Sequence, residues 1–205
     1  MELMQAIKER RSIHKYLDQP VEEDMLQRVL EAAHSAPSAS NYKFSYFIVA
    51  KDQKKKTEFS DAFYDEVMKY KKTMNDTWQK RLDHFSTDFV LNVPILIVVC
   101  ADPDKTKQGE PGNGQHVLST RMAIQNLMLA AYGEDLGTVW ITRYNKAKIR
   151  TIFNIPSNIV PLGVIPLGYP EHVPEKSAFA EAGWVPDEAL KDHVYTEQWG
   201  KKAKE

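Results

Sequence analysis

Val93-Pro94-Ile95-Leu96-Ile97-Val98-Val99-Cys100-Ala101 carries no charged side chain and shows no apolar–polar alternation. A strand of that kind is covered on both faces, so Ile95 to Ala101 predicts a buried strand inside a sheet. Outward from it, Tyr46-Phe47-Ile48-Val49-Ala50 and Thr138-Val139-Trp140-Ile141 are short β-branched and aromatic runs that read as further strands. Ile159 to Leu167 reads as a last apolar strand. Pro161 and Pro166 within it predict an edge or an irregular end, because proline donates no ladder hydrogen bond.

Between the strands the apolar period lengthens to three and four. Leu3 and Ile7 predict a short helix with one buried stripe, ending near Arg10 and Arg11. Pro20 followed by Glu22, Glu23 and Asp24 suits the first turn of a second helix, with Met25, Leu26, Val29, Leu30 and Ala33 on its buried face and Pro37 as its stop. Phe59, Phe63, Val67, Tyr70, Met74, Trp78, Leu82 and Phe85 recur through a charged background as amphipathic helix in more than one piece. Val117 to Glu134 is apolar around much of its surface, so it either runs through the domain centre or is covered in part by another subunit. Gly137 is read as its terminator, Asn145 to Phe153 as a short basic helix, and Asp102 to Gly114 as a loop. Helices alternating with strands predict an α/β or α+β sheet covered by helices, folded as a single domain over 1–205. Residues 171–205 are polar, with Trp184, Tyr195 and Trp199 too sparse to form a core, and read as an arm that packs on its own domain or a partner subunit.

Bulk composition narrows the function. Lysine and arginine number 27 against 28 acidic residues, a net charge of -1, which offers no electrostatic reason to expect nucleic acid or an anionic membrane. Cys100 is the only cysteine and lies in the apolar run, so a packing role in a reducing compartment is expected. No run of about twenty apolar residues and no basic-then-apolar leader occurs, and a cytoplasmic location is expected. The histidines lack paired metal-ligand spacing, and neither a glycine-rich phosphate loop nor a Gly-x-Ser-x-Gly elbow is present. No metal is expected.

Chemistry concentrates in Arg10-Arg11-Ser12-Ile13-His14, in Ala36-Pro37-Ser38-Ala39-Ser40-Asn41 one helix later, and in the late Gly168-Tyr169-Pro170. Two arginines at a helix end can complement its carbonyl terminus. They can equally donate paired hydrogen bonds to phosphate oxygens, with the Ser12 hydroxyl adding a neutral donor. The three segments, in this order and spacing, resemble the nitroreductase family.

The resemblance implies an α+β fold, an α/β sandwich with a mixed, mainly antiparallel central sheet, and a homodimer binding FMN at its interface. It assigns Arg10, Arg11 and Ser12 to the phosphate, the ribityl chain or the polar flavin edge, and His14 to the N1 and O2 edge. It places Pro37, Ser38, Ala39, Ser40 and Asn41 over the isoalloxazine from the other subunit, and Lys176 on the phosphate. Trp140, Ile141 and Thr142 resemble the strand passing the reactive edge, where a backbone amide or the Thr142 hydroxyl would donate to N5; Trp140 and Ile141 read equally well as core residues. The family's usual Gln-Pro-Trp is here Lys43-Phe44-Ser45, a departure at the substrate pocket.

The activity implied is an FMN-dependent oxidoreductase passing hydride from NADH or NADPH, through flavin N5, to a nitroaromatic, quinone or activated alkene, with ping-pong kinetics and no side-chain acid or base. A flavin-binding or sensory module, or a reductive dehalogenase or oxidase variant of the same fold, is the alternative. Tyr64, Tyr70 and Trp78 are candidates to stack on a planar acceptor, although core packing explains most of that stripe.

Overall fold

The computed structural model describes residues 2–105, 114–176, 180 and 188–202. Its helices are α1 (Leu3–Glu9), α2 (Glu23–His34), α3 (Gln53–Lys71), α4 (Asp76–Arg81), α5 (Asp88–Asn92), α6 (Gln115–Gly133) and α7 (Lys146–Phe153), and its strands are β1 (Ser45–Ala50), β2 (Ile95–Ala101), β3 (Gly137–Thr138) and β4 (Val160–Gly168). The sheet runs β1-β2-β4-β3 with every neighbouring pair antiparallel. A single parallel bridge, Ser12 to Thr138, extends it beyond β3.

Every residue of β2 is buried, and the period of two in a strand sends alternate residues to opposite faces. Leu96, Val98 and Cys100 meet Phe59, Phe63 and Val67 of α3, Phe89 of α5 and Ile149 of α7. Ile95, Ile97 and Val99 meet Leu26, Val29 and Ala33 of α2 and Ala123, Ile124, Leu127 and Ala131 of α6. The unbroken apolar run is therefore the middle of a three-layer sandwich. Each Leu, Ile, Val or Phe among them, fully withdrawn from water, contributes about 1.5–3 kcal/mol.

Four expectations change. First, β4 lies inside the sheet between β2 and β3, not at an edge. Its prolines are accommodated locally: Pro161 sits opposite Cys100, where the register shifts between Val99 and Cys100. Val164 exchanges both backbone hydrogen bonds with Ile141, so Pro166, two residues on, turns its nitrogen to that same side, beyond the end of the two-residue β3. Second, the strand expected at Thr138 to Ile141 is interrupted. Trp140 leaves the ladder because its indole lies over Gly163, Nε1 donating to the Leu162 carbonyl at 3.2 Å. Third, Leu3 and Ile7 are 64% and 48% exposed; α1 packs on α6 and buries only the small Ala6. Fourth, α6 is ended by Asp135 at φ 60, with Leu136 N donating to the Ala131 carbonyl at 2.8 Å, a left-handed terminus that frees Gly137 for the sheet.

The long helical stretch resolves into α3, α4 and a single 3-10 turn at Leu82–His84. α6 lies on the sheet and α2, yet Leu118 and Met122 remain 55% and 46% exposed. The chain divides into a unit of Met1–Val173 and a unit of Pro174–Glu205. In the second, Tyr195 bridges Lys202 and packs on Trp199 with centroids 4.7 Å apart. Trp184 and most of the Asp102 to Gly114 loop fall outside the described residues. Among the described residues no helix is long and apolar enough to cross a membrane.

Candidate functional site

After α1 the chain straightens and lies along the β3 side of the sheet. Ile13 N donates to the Thr138 carbonyl at 3.0 Å, and Leu17 N to the Tyr169 carbonyl at 2.9 Å. Tyr16 bridges Pro170, and its hydroxyl donates to the Ile13 carbonyl at 2.9 Å. Ile13 and Tyr16 are buried, while Ser12, His14 and Lys15 face outward. The close seating needs glycine at two places. A Cβ on Gly137 would stand 2.8 Å from Ile13 Cγ1, and one on Gly168 would stand 2.6 Å from Pro94 Cδ. Arg10 to His14, Gly137-Thr138 and Gly168-Tyr169-Pro170 are thus joined into one surface.

The two arginines differ in their partners. Arg11 Nη1 donates to the Lys8 carbonyl at 2.7 Å and the Arg10 carbonyl at 3.0 Å, closing the carbonyl end of α1. Arg10 is half-buried and finds no acceptor among the described residues. Desolvation, with the nearby Arg11 charge adding to it, lowers its pKa. A half-buried cation without an acceptor, beside a second cation, is a place for an anion. His14 is exposed, but its ring meets the edge of Phe89 with centroids 5.1 Å apart. Desolvation lowers its pKa, so the imidazole is neutral at pH 7. Tyr169 is engaged elsewhere, its hydroxyl donating to Glu22 at 2.6 Å.

The serine loop is built differently. Ser40 and Asn41 both take left-handed backbone, at φ 49 and 58, a conformation costing non-glycine residues about 1–3 kcal/mol each and found disproportionately at functional sites. Ala39 N donates to Ser119 Oγ at 3.2 Å, and Ser45 Oγ to Thr120 Oγ1 at 3.2 Å, so the loop is anchored on the first turns of α6. Ser38 Oγ is buried without a hydrogen-bond partner beside a cavity of about 10 Å³ lined by Ala36, Lys43, Phe44 and Ser119. Pro37 is exposed.

One chain does not bring these halves together. The loop sits at the start of α6 and Thr138 just beyond its end, and 19 helical residues span about 28 Å. The sheet agrees: Ser45 lies opposite Ala101 at one end of β2, while Thr138 pairs with Leu167, which lies opposite Ile95 at the other. Ile141 is buried and bonded to Val164, and Trp140 is half-buried. Thr142 is exposed immediately after them. Lys176 is exposed within the second unit, while Ser177, Ala178 and Gly183 nearby lie outside the described residues.

Sequence reasoning passed over Ser119, a hydroxyl on an otherwise apolar helix face, and Phe89, the ring that sets the environment of His14. Ser119 had a signal, since a polar residue at a position helical period places inside must find a partner. Phe89 had none, because its contact with His14 spans unrelated segments.

Comparison with known proteins adds the following. Residues 7–169 match the family model described as the Nitroreductase family. A protein of Methanothermobacter thermautotrophicus, provisionally named NADH dehydrogenase/NAD(P)H nitroreductase, is 32% identical over 97% of this chain and 88% of its own length. A solved nitroreductase family protein from Clostridium novyi superposes with a TM-score of 0.68 at 27% identity, covering 98% of this chain and 97% of that one. An FMN-dependent nitroreductase from Clostridium difficile superposes at 0.70 and 25% identity, covering 96% and 99%.

Proposed function

The chain belongs to the nitroreductase family, and on that premise we propose that it is an FMN-dependent oxidoreductase passing hydride from NADH or NADPH to an electron-poor acceptor, working as a homodimer in the cytoplasm. The observation that carries this reading is Arg10: half-buried, without an acceptor among the described residues, and held on a segment bonded to Thr138. Bound FMN would supply the hydride relay between donor and acceptor, and an acceptor entering the place the nicotinamide has left gives ping-pong kinetics.

The chain's own residues bind and orient. Arg10 would neutralise the phosphate or the polar flavin edge, with the Ser12 hydroxyl beside it. Arg11 contributes a second positive charge while it closes α1. His14, neutral at pH 7, offers a hydrogen bond to the pyrimidine edge without a fixed charge. Ser38 Oγ, buried and without a partner, fits a role as donor toward a bound ring. Thr142 is exposed and free to donate at the reactive edge. Lys176 would add a further cation for the phosphate.

The separation of the two halves along α6 supports a site completed by a second copy, the serine loop of one protomer closing on the Arg10 segment of the other. The exposed apolar side chains of Leu3, Met4 and Ile7 on α1 and Leu118 and Met122 on α6 offer a face for that pairing. The test is the colour of the purified protein and its response to NADH and NADPH without oxygen. A yellow protein bleached by either nucleotide is expected. A yellow protein that neither bleaches indicates a binding module, and a colourless one that FMN cannot reconstitute overturns the reading.

A further inference from the structure

Directly after Thr142, the Arg143 guanidinium carbon stands 3.3 Å from the centre of the Tyr70 ring. That stacking holds a long side chain in one orientation and leaves the N–H fork at its rim available. Arg143 is exposed, and no acceptor binds its fork among the described residues. Three acids of this region have lysine partners: Asp65 with Lys148 at 2.9 Å, Glu66 with Lys69 at 4.0 Å, and Asp83 with Lys71 at 2.6 Å. Arg143 is therefore an oriented cation with no acceptor on its fork among the described residues. It is one residue from the position expected at the reactive edge of the flavin.

Resting on the flavin reading above, we propose that Arg143, steered by Tyr70, recognises an anionic group carried by the planar molecule that visits the flavin. That molecule is either a carboxylate-bearing aromatic acceptor or the phosphate-bearing nicotinamide donor. A bidentate guanidinium suits both anions, and a ring laid on the flavin would bring a substituent of either to the rim. Arg143 is on this view a specificity residue, and Tyr70 positions it.

The experiment uses the FMN-loaded protein as wild type, Arg143→Gln, Arg143→Lys and Tyr70→Leu. Benzoate and benzamide are titrated into the oxidised protein and followed by the change in flavin absorption, which requires no turnover. Arg143→Gln is expected to weaken benzoate by on the order of tenfold or more, the loss of a charge-assisted hydrogen bond, and to leave benzamide within about twofold. Arg143→Lys should retain part of the preference, and Tyr70→Leu should lose part of it, while FMN affinity and melting temperature stay unchanged. Steady-state arms then separate the sources. A higher KM for NADH and NADPH with an unchanged nitrobenzoate to nitrobenzamide ratio assigns the anion to the donor, and the converse assigns it to the acceptor. Equal loss of benzoate and benzamide, no loss of either, or no benzoate binding to the wild type overturns the proposal while leaving the flavin reading intact. A wild type that cannot hold FMN overturns both.

Discussion

Gly137→Ala tests whether the Arg10 segment is held against β3 by close packing. The added Cβ would stand 2.8 Å from Ile13 Cγ1 and 3.0 Å from both Ile13 Cβ and Cγ2. Ile13 is only 3% exposed, and a β-branched side chain has no rotamer that withdraws both branches. Overpacking of this kind costs about 1–3 kcal/mol. The backbone of Gly137 is not left-handed, so alanine also stiffens the unfolded chain, a gain of about 0.4–1 kcal/mol. The net expectation is a loss of about 1–2 kcal/mol. Ile13→Ala alone, a deletion in the core, should cost about 2–5 kcal/mol. In the double variant the contacts with Cγ1 and Cγ2 disappear and the new methyl occupies part of the space left behind. The loss in the double variant should then fall short of the sum of the two single losses by about 1 kcal/mol or more. Urea unfolding of the four apoproteins measures this coupling directly. FMN retention should drop in Gly137→Ala and recover in part in the double variant, since Ser12 returns towards Thr138. Additivity within about 0.5 kcal/mol would refute the packing argument.

Three further outcomes are expected. Arg10→Ala should weaken FMN binding while leaving apoprotein stability within about 0.5 kcal/mol, whereas Arg11→Ala should cost the apoprotein about 0.5–1.5 kcal/mol through its lost carbonyl contacts; titration with FMN and thermal melting of both variants would expose the reverse pattern. Arg28 hydrogen-bonds to Asp24 and Glu134 and holds both carboxyls below their usual range. Such groups bind fewer protons folded than unfolded, so their stabilisation is present above about pH 4, near the unfolded values, and is lost as the pH falls. Melting curves between about pH 5 and 3 should be steeper for the wild type than for Arg28→Met, and parallel curves would sink the assignment. Burial pushes the Cys100 thiol up to about 11, so a thiol-reactive disulfide reagent should label the protein only on unfolding; rapid stoichiometric labelling of the native protein would contradict the buried position.

Much of the layering was legible from residue order. Ile95 to Ala101 announces burial on both faces by its lack of alternation, and Leu26, Val29 and Ala33 announce the inner face of α2 by helical spacing. The prolines of β4 misled because their cost depends on which side of the strand needs a donor, and that follows from a register shift and a short neighbour rather than from β4 itself. Leu3 and Ile7 show the right spacing for burial, yet spacing does not say whether the covering surface belongs to the same chain. The candidate site divides similarly. Motif order picked out Arg10 to His14, Pro37 to Asn41 and Gly168 to Pro170. It did not separate Arg10 from Arg11, because both are guanidiniums at a helix end and only the path of the chain gives one of them carbonyls to cap.

Sequence by itself determined the strand and helix periods, the three motif segments and, through them, the family. These are local properties, written in neighbouring side chains. Tertiary structure alone decided that β4 lies inside the sheet and that Ile13 is packed on Gly137. It also decided that the Arg10 segment and the serine loop stand at opposite ends of α6, and that Arg143 is stacked on Tyr70 with its fork open. Each of those depends on segments distant in sequence meeting in space, where a single steric contact or an unpaired charge sets the outcome.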